Sequence, residues 1–170
     1  MIPFRSFAAL AAAFLALGAA ASAHVTISPK TVAPGATTEL TFRCPNERSA
    51  ASTISLVVQL PPDAPLATVE PQPAPGWTVR VTQRDLATPL RTAHGDVKRV
   101  ADTIAWTGGR IAPGGVATFA VRIGAFPAAP SLLTFKAVQT YDDGEVVRWI
   151  EDRAPGEPEP PNPAPAVAVR

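Results

Sequence analysis

The chain is poor in the residues that build many familiar sites. It has one cysteine, one methionine, one tyrosine and two histidines in 170 residues. A single cysteine excludes an intramolecular disulfide and any thiolate-rich zinc or iron-sulfur site, so the fold must rest on an ordinary hydrophobic core. Charge is scarce as well. Only 17% of residues are charged, against about 25% in typical domains, and the 15 basic and 14 acidic residues leave a net charge of +1. That leaves no basic field for a polyanion, which excludes an electrostatic nucleic-acid binder. Side-chain catalysis has little material here. Neither histidine lies in a nucleophile-elbow or cysteine-protease context, and no phosphate-cradling GxxxxGK[ST] loop occurs.

Met1 to Ala23 supplies what the rest lacks, an unbroken apolar run. MIPFRSFAALAAAFLALGAAASA has one arginine near its start, an alanine and leucine stretch, and small residues at Ala21-Ser22-Ala23. This pattern predicts a secretory signal peptide over 1–23, cut after Ala23. The run is too short and too alanine-rich for a retained span, and no later segment is apolar for long enough to cross a bilayer. No cysteine stands at the cut to take a lipid. The expected product is therefore periplasmic or secreted. It loses Arg5, so 14 basic side chains balance 14 acidic ones. Its first residue is His24, whose amine and imidazole Nδ1 can close one chelate ring on a metal ion.

From His24 onward short alternating runs are separated by proline and glycine, with 20 prolines in the chain. Leu40, Phe42 and Cys44 share one side of a strand over Thr38 to Cys44; Leu56, Val58 and Leu60 share another with Ile54 over Ser52 to Leu60. Trp77, Val79 and Val81 predict a third. Gly108-Gly109 and Pro113-Gly114-Gly115 are expected in hairpin turns, the latter before the alternating run Val116 to Ile123. Asp142-Asp143-Gly144 should reverse the chain between Leu132–Tyr141 and Glu145–Ile150. No stretch has a capped helical period. The expected fold is all-β, a two-sheet immunoglobulin or fibronectin type III-like β-sandwich over 24–153. Residues 154–170, APGEPEPPNPAPAVAVR, contain no aromatic residue and are expected to form a disordered proline-rich tail.

Metal chemistry is the remaining opening, and it centres on His24. Copper(II) favours nitrogen and oxygen donors in a square array. The amine must shed its proton to bind, and an unperturbed α-amino pKa of about 8 makes binding weaken on acidification. Read on its own, a histidine after a cleavage site is only an exposed polar residue. Four segments place it in a context: His24-Val25-Thr26-Ile27-Ser28-Pro29; Pro75-Gly76-Trp77; Ile104-Ala105-Trp106-Thr107-Gly108-Gly109 with Ile111-Ala112-Pro113-Gly114; and Val138 to Trp149, VQTYDDGEVVRW. In this order they resemble the bacterial YcnI-like copper-binding family, over His24 to about Trp149. The resemblance implies an exported fibronectin-like domain binding one copper(II) ion through a mono-histidine brace. It also implies other copper-handling proteins as partners.

Carried onto this sequence, the resemblance makes His24 the amino-terminal ligand, Glu47 the strand-end glutamate and Trp149 the tryptophan beside the metal. By itself Glu47 reads as a solvated loop carboxylate next to Arg48, and alternation does not decide which way Trp149 points. Glu39 is a fallback ligand at an outward strand position. Trp77 and Trp106 read as core residues, Cys44 as a small buried hydrophobe, and His94 as a surface turn residue. The function that follows is a non-enzymatic copper chaperone or buffer. A histidine-brace oxidative enzyme is the alternative, with His94 as its only possible second histidine, and a metal-independent interaction module is the third reading.

Overall fold

The computed structural model describes residues 24–154 and 156–170, so the expected leader over 1–23 lies outside the described residues. Twelve strands form three sheets, and the described residues contain no helix. The first sheet has the order β1 (Thr26–Ser28), β3 (Thr38–Pro45), β8 (Val116–Gly124), β5 (Thr68–Pro71). The second runs β11 (Val146–Trp149), β10 (Lys136–Tyr141), β4 (Thr53–Gln59), β7 (Gly95–Ile111), β6 (Thr78–Thr92). These two carry most of the core and form the expected β-sandwich.

The alternation read from the sequence sets the inward faces. Leu40, Phe42 and Cys44 of β3 are fully buried, as are Phe119, Val121 and Ile123 of β8 and, from the facing sheet, Leu56, Val58, Ile104 and Trp106. Aromatic rings bridge the interior: Trp106 and Phe119 lie 4.8 Å apart, and Phe42 meets Phe135 edge-on at 5.8 Å. Such pairs add about 0.5–1.5 kcal/mol each beyond the area they bury. Trp77 is half-buried and meets Phe119 at 5.1 Å, entering its strand through a turn in which Gly76 has φ +78° and the Trp77 N–H donates to Ala74 O. A proline followed by a positive-φ glycine is what that turn requires.

Three details differ from the sequence expectations. Gly108 and Gly109 sit within β7, not in a turn; a Cβ at Gly109 would fall inside the Trp77 indole, so the residue is small to let that ring pack. Register shifts put β7 out of step with β4 between Thr53 and Ser55, and β10 out of step with β4 between Thr140 and Tyr141. The second shift leaves Ile54 extra and turns Thr53 inward, where it is fully buried.

The largest correction concerns residues 154–170. Rather than a disordered tail, their end forms β12 (Ala166–Val169), which lies between β2 (Thr31–Val32) and β9 (Ser131–Thr134) in a third sheet. Val167 and Val169 are buried in the core with Val32 and Leu133. The prolines stop at Pro165, short of the strand, so every β12 residue keeps the N–H that a ladder needs. The alternation Ala-Val-Ala-Val supplies one apolar face in only four residues.

Candidate metal centre

One end of the sandwich is held by buried polar side chains. Asn46, just beyond β3, donates from Nδ2 to Ala51 O and Ile111 O, both at 2.9 Å, and accepts from the Arg48 N–H at 3.0 Å. These bonds fix the loop that carries Glu47. Gln139, on the inward face of β10, donates to Pro45 O at 2.9 Å and Thr53 Oγ1 at 2.7 Å. Its Oε1 accepts from Trp149 Nε1 at 3.1 Å. A fully buried amide thus ties the end of β3, the inward-turned Thr53 and the Trp149 indole together.

Trp149 points inward and is 5% exposed. Its ring centroid is 5.5 Å from that of His24, with the planes tilted by 56°. His24 leads into β1 and is anchored by the buried Val25 just before that strand and Ile27 within it, while its own side chain stays 24% exposed. His24, Glu47 and Trp149 line one cleft of about 350 Å³, together with Arg48, Tyr141, Val147, Pro161 and Asn162. The structure therefore brings together the three residues that the resemblance singled out. Glu39 is instead paired in register with Arg122 on an exposed face, and His94 lies exposed in the turn between β6 and β7.

The charge balance leaves the Glu47 carboxylate free to act. Arg48 is engaged by Glu145, and its guanidinium lies 5.1 Å from the centre of the Tyr141 ring. Among the described residues Glu47 makes no ion pair and no side-chain hydrogen bond. Burial pushes the Tyr141 phenol above its usual pKa, against the opposing pull of hydrogen bonds with Arg48 and Thr53. Burial likewise pushes the Cys44 thiol up to about 12, so it is no thiolate donor at neutral pH.

Among the described residues no three His, Cys, Asp or Glu side chains converge as a metal cluster. His24 brings an imidazole and Glu47 a carboxylate to the cleft, and nitrogen and oxygen donors of these kinds suit copper(II). Sequence reading missed Gln139, Arg48, Glu145 and the tail residues Pro161 and Asn162. The first three lay in or beside segments already singled out, but single-sequence alternation gives no sign that an inward glutamine holds a tryptophan.

A family model described as "Domain of unknown function (DUF1775)" matches residues 24–169. The chain belongs to this family, the YcnI-like proteins. The match reaches through β12, so the YcnI-like domain includes the segment expected to be a tail. The copper-binding protein CutI of Bacillus subtilis (strain 168) is 30% identical over 144 residues, 85% of this chain but 63% of the relative. The chain thus spans less than two thirds of that protein's length. An uncharacterized protein from Nocardia farcinica, whose crystal structure is described as revealing an immunoglobulin-like fold, is 34% identical with a TM-score of 0.68, covering 87% of this chain and 99% of that one. Neither description names an enzymatic activity.

Proposed function

We propose that this YcnI-like protein is an exported copper(II)-binding protein that serves as a metallochaperone or buffer, and that cleavage after Ala23 creates its site. The observation that carries the reading is the shared cleft of His24, Glu47 and Trp149. The copper-binding name of the CutI relative supports the choice of metal. His24 would hold the ion through its amine and Nδ1, and Glu47 would add a carboxylate; bound there, copper supplies a redox-capable Lewis acid. Trp149 covers the imidazole from one side, and Gln139 fixes the indole, which limits water around the donors. The absence of an accessible thiolate favours copper(II) over copper(I), since the one cysteine is buried in the core.

Calorimetric titration of the processed protein with copper(II) tests this. One saturable site, lost when a methionine precedes His24, is expected. Saturable binding that survives the extension would overturn the brace, and no binding at all would favour a metal-independent module. The oxidative-enzyme reading needs a second histidine, and His94 lines a different groove with Thr37 and Phe126.

A further inference from the structure

The segment expected to be disordered borders the cleft, lining it with Pro161 and Asn162. It leaves β11, turns where the Glu157 N–H donates to Ala154 O, and returns beside its starting point. There the Glu151 N–H donates to Asn162 O at 3.1 Å, the Ala164 N–H to Glu151 O at 2.9 Å, and the Asn162 N–H to Glu151 Oε2 at 2.6 Å. Beyond this clasp the Phe135 N–H donates to Pro165 O, and β12 enters the core. The result is a strap closed at its base and tethered at both ends. At its far side Glu159 Oε1 stands 3.9 Å from His24 Nδ1.

On this basis we infer that the strap completes the metal centre: Glu159 is a second carboxylate donor to the copper ion held by His24, and the strap controls how fast that ion leaves. The inference rests on the copper-brace reading and deepens it. Three arguments carry it. Two donors sharing an ion at bond lengths of about 2.0–2.2 Å lie at most about 4.4 Å apart, when they face each other across it, so the Glu159 oxygen at 3.9 Å is within the span of a common ion with the brace nitrogen. Two carboxylates, Glu47 and Glu159, together with neutral imidazole and amine, cancel the charge of a divalent cation, whereas Glu47 alone leaves one positive charge in a partly buried cleft. Glu159 also sits between Pro158 and Pro160, which restrict its backbone before any metal arrives. Holding it in place therefore costs little conformational entropy.

The test compares processed wild-type protein with Glu159→Gln, Glu47→Gln and Glu157→Gln, reading copper(II) affinity by chelator competition and the rate of copper release on chelator challenge. Glu157 is an exposed strap residue whose backbone N–H closes the Ala154 turn and which does not line the cleft, so its variant makes the same change of charge away from the site. Glu159→Gln should bind copper about tenfold more weakly and release it correspondingly faster, with thermal stability unchanged, while Glu157→Gln matches wild type. Equal losses in Glu157→Gln and Glu159→Gln would overturn the inference in favour of a general negative field. Wild-type behaviour of Glu159→Gln beside a weakened Glu47→Gln would overturn it while sparing the brace. Failure of the wild-type protein to take up copper would remove both.

Discussion

The two histidines of the described domain occupy opposite kinds of place. His24 sits against a buried tryptophan, in a cleft whose walls are fixed by Asn46 and Gln139. His94 stands in the turn of the long β6–β7 hairpin, where its backbone N–H is tied at 3.1 Å to Thr92 Oγ1. One imidazole is held by neighbours that are themselves held; the other is exposed at the edge of an open groove. The contrast teaches that a metal ligand is recognised less by its residue type than by the immobilised side chains around it.

The sharpest way to break the comparison is to block the His24 amine. A methionine placed before His24 should lower copper affinity by about a hundredfold or more, a loss of roughly 3 kcal/mol or above at ~1.4 kcal/mol per tenfold, measured by competition with a calibrated chelator. Glu47→Gln should cost about tenfold in the same assay, because it removes charge but preserves shape. Gln139→Ala strands the Trp149 indole N–H, Thr53 and Pro45 O together, and should lower unfolding free energy in urea by about 2–4 kcal/mol. An equal loss for Thr82→Ala, which sits in an exposed Thr82–Thr103 hydroxyl pair of the hairpin arm, would dissolve the distinction between the two regions.

Cys44 offers a subtler check. Its folded pKa, about 12, exceeds the ordinary value of 9.0, so the native state keeps a proton that the unfolded chain gives up. The associated stability is complete below about pH 9 and declines as pH climbs toward 12, by at most ~1.4 kcal/mol per unit. Thermal unfolding against pH for wild type and Cys44→Ala should differ in slope only above about pH 9. The smallest effect is expected at His94→Ala, with stability within about 0.5 kcal/mol and copper affinity unchanged; weakened copper binding there would revive the enzyme reading.

The sandwich was legible because its strands alternate. Parity placed Leu40, Phe42 and Cys44 inside, and Asp142-Asp143-Gly144 reversed the chain as expected, with Gly144 at φ +88° and the Tyr141 N–H donating to Glu145 O. What stayed hidden depends on contacts between distant segments. The register shift at Ile54 overrides parity and turns Thr53 inward, while Trp149 could not be oriented until its bond to Gln139 was seen. Composition misled at 154–170, since a window rich in proline hides four residues whose two valines are enough to close a sheet. The candidate site divides in the same way. The expected cleavage puts His24 first in the product without marking it as a ligand, the resemblance adds Glu47 and Trp149, and Glu159, the further donor inferred above, lies in a segment whose composition reads as unstructured.

Electron paramagnetic resonance of the copper-loaded protein beginning at His24 tests the central claim most directly. The account predicts a single tetragonal copper(II) centre coupled to more than one nitrogen, and loss of that signal when a residue is added ahead of His24. The same spectrum from processed and extended protein would contradict it.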